Sequence, residues 1–368
     1  MSEFKNTEKL FESDPFDFSS DSLSLFRESF KEMAIHHYNS HPFFKFIFDK
    51  VGLHPSLISS EEDMEKVPAL MVHLFKEKEF LSVPEKEIVL TLTSSGTGGQ
   101  KSQQRLDQLS LDNVKKLAYK IHESLGITGH EKVNYLCFTY DPNVATDLGT
   151  AFTDELLTSF TGRSEVYYAI EWREEKKDFE LNVDGVIETL KRFEKEKLAV
   201  RILGFPAFLY KILKDHDLKL KLPPNSWVQT GGGWKNHADE EIPKSEFRRF
   251  IKESLGIPEE NCRDLFGMVE HGIPYVDCRL GKMHIPNYAR VYVRGPQNLK
   301  VLPEGEIGLL HFLCSYNHSY PCISLLSTDY GRLGRCSCGI KGQTLELLGR
   351  AGVSKHKGCA LKAVELLK

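Results

Sequence analysis

Apolar positions along the chain follow two periods, and the change from one to the other divides it. Through residues 1–85 the spacing is helical: Leu23, Leu25 and Phe26, then Phe30, Met33 and Ala34, fall on one face. Pro68 and Pro84 break the pattern on either side of His73-Leu74-Phe75-Lys76. Phe43, Phe44, Phe46 and Phe48 form an aromatic stripe that fits ordinary core, with the lining of an acyl-chain pocket as the alternative. An apolar run at 88–92 reads as a strand, and 110–125 as a helix with Ser110 as candidate cap and Gly126 as stop. Strands and helices then alternate. Strands are predicted at 133–138, 164–170, 199–204 and 227–230; an amphipathic helix spans 183–197 with a solvated Glu/Lys face, and another is opened by Pro206 and runs to Lys214. Such alternation predicts an α/β core with a largely parallel sheet. After about residue 275 the texture becomes β-ribbon, with strands at 290–293 and 305–312 and a turn at Pro303-Glu304-Gly305.

The expected organisation is therefore a core over 1–348, with a helical part (1–85), an α/β part (86–274) and a β-rich part (275–348), followed by a short segment, 349–368. Composition narrows the function classes. The 368 residues are 40% hydrophobic, ordinary for a globular protein, and the net charge of −4 provides no global attraction for nucleic acid or an acidic membrane surface. Neither a signal-peptide core at the N-terminus nor a membrane-spanning apolar run is present in the sequence, so the expectation is a cytoplasmic protein without stable membrane insertion. In that reducing setting the eight cysteines read as thiols, metal ligands or catalytic groups.

Candidate chemistry begins directly after the strand at 88–92. Ser94, Ser95, Gly96, Thr97, Gly98, Gly99 and Lys101 combine hydroxyls, glycines and a cation, as a phosphate grip requires: glycine lets backbone N–H groups approach an anion unobstructed. Gln100 before Lys101 rules out a Walker loop, and a plain Gly/Ser turn is the alternative. Gly231, Gly232 and Gly233 with Trp234 and Lys235 offer a close approach to a flat ring. Phe266-Gly267-Met268-Val269-Glu270 supplies a carboxylate for Mg²⁺, and Ser327-Thr328-Asp329, with Gly349-Arg350 behind it, an acid for ribose hydroxyls. Singly, Glu270 could pair with a lysine and Asp329 could cap a turn. In order, and with three of the motifs after predicted strand ends, they describe an ATP site at the carboxyl edge of an α/β sheet.

A second signal is independent of nucleotide. Cys278 and His284, then Cys336 and Cys338, are two local pairs of soft ligands that a β-ribbon could unite into a Cys₃His zinc site; with four protein ligands it would be structural. His284 as a core histidine is the alternative.

The ordered motifs resemble the adenylate-forming superfamily, over roughly residues 65–358. More narrowly, Val67-Pro68-Ala69-Leu70, His73-Leu74-Phe75-Lys76, the loop, 231–235 and the short tail resemble the long-chain acyl-protein synthetases of bacterial luminescence, with the phenylacetate-CoA ligase-like branch as a relative. Some of that branch share a similar Cys, His and Cys-x-Cys pattern. The resemblance implies the fold of an adenylate-forming core with layered, largely parallel sheets. It also implies that 94–101 holds the ATP phosphates, that Gly231, Gly232, Gly233, Phe266 and Gly267 flank adenine or the acyl carboxylate, and that Glu270 binds Mg²⁺. Asp329 would hold the ribose hydroxyls and Arg350 a ribose or phosphate oxygen near the hinge.

The superfamily's C-terminal lid is expected to be truncated here, since eighteen residues follow Arg350. In its place the resemblance implies Cys359 as acyl acceptor, among Lys355, His356 and Lys357, whose charge favours the thiolate; a spare thiol is the alternative. The expected activity is ATP-dependent adenylation of a fatty acid, thioester formation on Cys359, and delivery to a fatty acyl reductase or other acceptor. An acyl- or aryl-CoA ligase and a non-catalytic, zinc-stapled nucleotide-binding protein are the alternatives.

Overall fold

A computed structural model describes residues 4–77, 80–93, 103–140, 149–174, 178–234 and 240–350. The loop Ser94 to Lys101, Lys235 and the tail with Cys359 lie outside them. The N-terminal part is helical as the spacing predicts: α1 (Lys5–Glu12), α2 (Ser20–Ser40), α3 (Pro42–Lys50) and α4 (Glu61–Glu65). Along α2, Phe26, Phe30, Met33, Ala34 and His37 are buried, an i, i+4, i+7, i+8, i+11 series that turns one face to the core. The phenylalanine stripe splits across α3. Phe44 and Phe48 enter the core, while Phe46 is 59% exposed.

Strand β1 (Leu70–Met71) and the short helix α5 (Leu74–Glu77) lead to β2 (Ile88–Thr93) and β3 (Gln103–Asp107). These two pair antiparallel as a separate two-stranded sheet, with Thr93 opposite Gln103. Helix α6 (Gln108–Ser124) follows, capped by Asp107 and not by Ser110: Asp107 Oδ1 accepts the Ser110 N–H at 3.0 Å. The Ser110 hydroxyl instead accepts the His318 N–H at 2.8 Å, a tertiary contact that fixes the helix start against a distant loop.

The alternation is present as β4 (Lys132–Tyr140), α7 (Gly149–Thr158), β5 (Gly162–Arg173), β6 (Asp178–Leu181), α8 (Val183–Glu196), β7 (Val200–Gly204), α9 (Pro206–Asp215), β8 (Trp227–Gly231), α10 (Lys244–Leu255) and β9 (Cys262–Phe266), of which α7, β6, α10 and β9 are additional to the predicted elements. Strands β9, β8, β7, β4 and β5 lie side by side and parallel in that order. Both faces are buried. Leu136, Phe138, Ile202 and Val228 pack with Leu190 and Phe193 of α8, Phe208 and Ile212 of α9 and Ile251 of α10. Tyr135, Cys137 and Leu203 face the other way, toward Leu117 and Ile121 of α6 and Phe160 beyond α7. A period of two along each strand, apolar on both faces, is what a covered parallel sheet demands.

The β-rich remainder comprises β10 (Tyr275–Asp277), β11 (Met283–His284), β12 (Ala289–Arg294), β13 (Gly308–Cys314), β14 (Ser324–Gly334) and β15 (Thr344–Arg350). It is hydrogen-bonded into the parallel sheet through β9 and β10, so that one sheet runs from β12 to β6. Strand β1 joins β14 in parallel and ties the N-terminal helices to it. No described helix is long and apolar enough to cross a membrane.

Candidate active site and cysteine–histidine cluster

The carboxyl ends of β7, β8 and β9 bring two of the sequence motifs side by side. Across them Gly204 pairs with Thr230 and Gly231 with Leu265, so Gly231 to Gly233 emerge next to Phe266 and Gly267. Gly232 and Gly233 have φ of +75° and +70°, in the left-handed region that glycine enters without Cβ strain, and Gly233 opens onto free space. Thr230 Oγ1 donates to Asp264 Oδ1 at 3.1 Å and holds these two strand ends together. The Phe266 ring stands 6.0 Å from Tyr275 and 6.1 Å from Phe312.

After Phe266 the chain turns sharply, the Gly272 N–H reaching the Met268 carbonyl at 2.8 Å, and Glu270 within this turn is buried. Gly272 has φ +73°, and a Cβ there would lie 2.1 Å from the Tyr316 hydroxyl oxygen, so the turn closes on that tyrosine only with glycine. Gln104 of β3 fixes the other side: its Nε2 donates to the Tyr316 hydroxyl and lies 3.5 Å from the Glu270 carbonyl oxygen. Gln104 pairs with Leu92, one step from the Thr93–Gln103 pair that brackets the 94–102 loop. The base of that loop is thereby held to the turn carrying Glu270. Neighbouring His271, buried and hydrogen-bonded to the Tyr275 hydroxyl at 2.7 Å, is pushed down to about 3 by burial and remains a neutral imidazole.

Asp329 and Arg350 meet across β14 and β15, directly opposite in register, with Arg350 Nε donating to Asp329 Oδ1 at 2.7 Å. Asp329 is 6% exposed and belongs to a strand, and its N–H donates to Ser327 Oγ at 2.9 Å. The Ser-Thr-Asp motif thus aims an oriented carboxylate at Arg350, the last residue of β15.

One carboxyl near the strand ends gives no signal in the sequence. Asp154 of α7 is buried against β4, where Thr139 hydrogen-bonds to it, and burial pushes its pKa up to about 7. The unfolded chain loses this proton near 3.8, so between about pH 4 and pH 7 the folded state binds the extra proton and stability falls as pH rises, by at most about 4 kcal/mol across that window. Asp154→Asn is therefore expected to flatten the Tm-versus-pH curve between pH 5 and 8 and to be the more stable protein at pH 8. Parallel curves for the two proteins would contradict the assignment.

The four soft ligands also converge. Cys278 follows β10, His284 lies in β11, and Cys336 and Cys338 lie in the β14–β15 turn; pairing of β11 with both β10 and β15 draws them together. Their ligand atoms all lie within 4.8 Å of one another, with Cys278 and Cys336 Sγ 3.7 Å apart and Cys338 Sγ 3.2 Å from His284 Nε2. Tetrahedral zinc with ordinary bond lengths has edges of about 3.8 Å between sulfurs and about 3.6 Å between sulfur and nitrogen. The donor set and spacing fit such an ion. Burial raises the Cys278 thiol, but hydrogen bonds with His284 and the backbone around Lys282 outweigh it and leave the thiol below its usual range.

This architecture is that of the adenylate-forming ligases. A 2-hydroxyisobutyryl-CoA ligase solved with its acyl-adenylate and CoA superposes with a TM-score of 0.68 at 16% identity, over 90% of this chain and 75% of that one. A long-chain-fatty-acid–CoA ligase from Archaeoglobus fulgidus superposes with a TM-score of 0.51 at 15% identity, over 73% and 52%. The chain belongs to the acyl-protein synthetase (LuxE) family, whose sequence profile matches residues 2–367. It is 24% identical to the long-chain-fatty-acid–luciferin-component ligase of Vibrio harveyi over 89% of this chain and 84% of the relative. The protein of that name from Aliivibrio fischeri matches at 24% over 83% and 80%. A phenylacetate-coenzyme A ligase of Pseudomonas putida is more distant, 22% identical over 81% and 63%. The resemblance drawn from the motifs holds, and the protein is an AMP-forming ligase by family and fold.

Proposed function

We propose that the protein uses ATP and Mg²⁺ to activate a long-chain fatty acid and passes the acyl group to Cys359, from which an acyl-accepting protein such as a fatty acyl reductase receives it. The observation that carries this reading is the anchored Glu270 turn beside the base of the 94–102 loop, on a chain of the acyl-protein synthetase family. A carboxylate is a poor acyl donor. Attack of its oxygen on the α-phosphorus forms the P–O bond of an acyl-adenylate and breaks the bond to pyrophosphate, which leaves with the charge. Lys101 and the hydroxyls of 94–97 would stabilise that charge, Glu270 would hold the Mg²⁺, and Asp329 with Arg350 would orient the ribose. In the second step the Cys359 thiolate attacks the acyl carbon, the C–S bond forms and AMP departs with the carboxyl oxygen; the thiol proton goes to solvent or base.

Incubation with ATP and radiolabelled tetradecanoic acid is expected to label the denatured protein. Cys359→Ser should keep acid-dependent pyrophosphate release and lose that label, and label retained in the variant would sink the tail mechanism. The solved CoA ligases favour one second reading, in which coenzyme A takes the acyl group; acyl-CoA formation outpacing protein labelling would support it.

The fit of Cys278, His284, Cys336 and Cys338 to a tetrahedral ion supports a structural zinc in the β-ribbon. Its role would be to fasten the β14–β15 turn, and thereby the register that sets Arg350 opposite Asp329.

A further inference from the structure

At the amino ends of the parallel strands, away from the carboxyl-end motifs, Tyr135, Arg201 and Trp227 stand in one row across β4, β7 and β8. Between this row and Phe160 and Leu157 lies a cavity that leaves about 20 Å³ for the centre of a water-sized occupant. About 10–15 Å³ by that measure admits one water, so the space suits a single small particle and excludes an acyl chain or a nucleotide. Its walls are apolar apart from Arg201, Gln229 and Tyr135. The Tyr135 hydroxyl is engaged with Thr161, and Gln229 Nε2 with His122 Nε2 at 2.9 Å. Arg201 is different. It is 6% exposed, and among the described residues its buried Nε and Nη1 have no hydrogen-bond partner. Glu131 stands 3.7 Å from Nη2 with its side chain half exposed to solvent.

A buried guanidinium with two idle donors is costly, because its desolvation is not returned by hydrogen bonds or a close counter-charge. The Trp227 ring, which Arg201 covers at 5.2 Å and Arg263 at 4.9 Å, offers the guanidinium a cation–π contact but no acceptor for Nε or Nη1. Arg263 donates from Nη1 to the Asp277 carbonyl at 2.8 Å and from Nε to that of Glu260, so these two donors are spent elsewhere. What the cavity lacks is one small acceptor carrying negative charge.

We propose that this cavity is a binding site for a halide-sized monovalent anion, chloride under ordinary conditions, held by Arg201 Nε and Nη1. Bound there, the anion joins β4, β7 and β8 at the ends opposite the catalytic loops and stabilises the parallel sheet.

The test compares Tm in sodium chloride, sodium bromide and sodium gluconate at equal ionic strength. Chloride and bromide are expected to raise Tm by a few degrees in a saturable manner, and gluconate, too large for the space, not to do so; in Arg201→Met the difference between salts should vanish. Equal Tm in all three salts, or a halide effect that survives Arg201→Met, would overturn the site in favour of a bound water. Should that variant fail to fold, wild-type crystals grown in bromide decide: an anomalous peak within hydrogen-bond distance of Arg201 is expected, and a map without one refutes the proposal.

Discussion

Glu270→Gln is expected to abolish most acid-dependent pyrophosphate release while leaving the fold unchanged. The substitution keeps the shape and removes the charge, and the contact that anchors the turn, Gln104 to the Glu270 carbonyl, involves backbone and survives. A carboxylate that holds Mg²⁺ against the polyphosphate supports several kcal/mol of transition-state stabilisation, so the loss should be on the order of 10²–10³-fold. Tm should move by no more than about 2 °C. On the proposed reading the defect lies in metal affinity, so excess Mg²⁺ should restore part of the rate. A variant within threefold of wild type would remove Glu270 from the metal site and leave it as a buried structural acid.

The purified protein is expected to retain about one zinc per chain after dialysis, and Cys278→Ser to lose both the metal and a substantial part of the stability. Zinc-finger peptides gain about 10 kcal/mol or more from the ion. Here the ligands sit in or next to strands already paired with their neighbours, so only part of that is at stake; a loss of about 5 kcal/mol would lower Tm by about 6 °C in a chain of this length. Chelation should reproduce the effect in wild type, and added zinc reverse it there and not in the variant. Dialysed protein free of zinc, with a Cys278→Ser melting curve like wild type, would leave the four ligands as ordinary thiols and an imidazole.

The α/β core was readable because its strands are unmistakable locally. Val200 to Leu203 are buried on both faces, Pro206 starts the helix behind them, and Gly204 and Gly231 close β7 and β8. What failed to show were features fixed by distant partners. Asp107 replaces Ser110 as the cap because the Ser110 hydroxyl is taken by the loop at His318. The β2–β3 hairpin stands apart from the main sheet, and the β-ribbon continues that sheet through β10, although the sequence of each strand is compatible with other partners. The four soft ligands were legible as two pairs from chemistry alone, whereas their meeting depends on β11 lying between β10 and β15. Asp154 and Arg201 carry no signal of their own in the sequence, because the packing of distant elements is what buries these two charges.

The Arg350–Asp329 contact fixes the point from which the tail departs. Eight residues lie between Arg350 and Cys359, so covalent geometry alone confines the thiol to within about 30 Å of Arg350. Confined to such a radius, one thiol is present at an effective concentration in the millimolar range. On the proposed reading, a free thiol would have to reach comparable concentration to intercept the acyl-adenylate, so the short tether itself would set the preference for self-acylation. Lengthening it with a Gly/Ser insert should therefore make the enzyme progressively more susceptible to added thiols without altering the site that makes the adenylate.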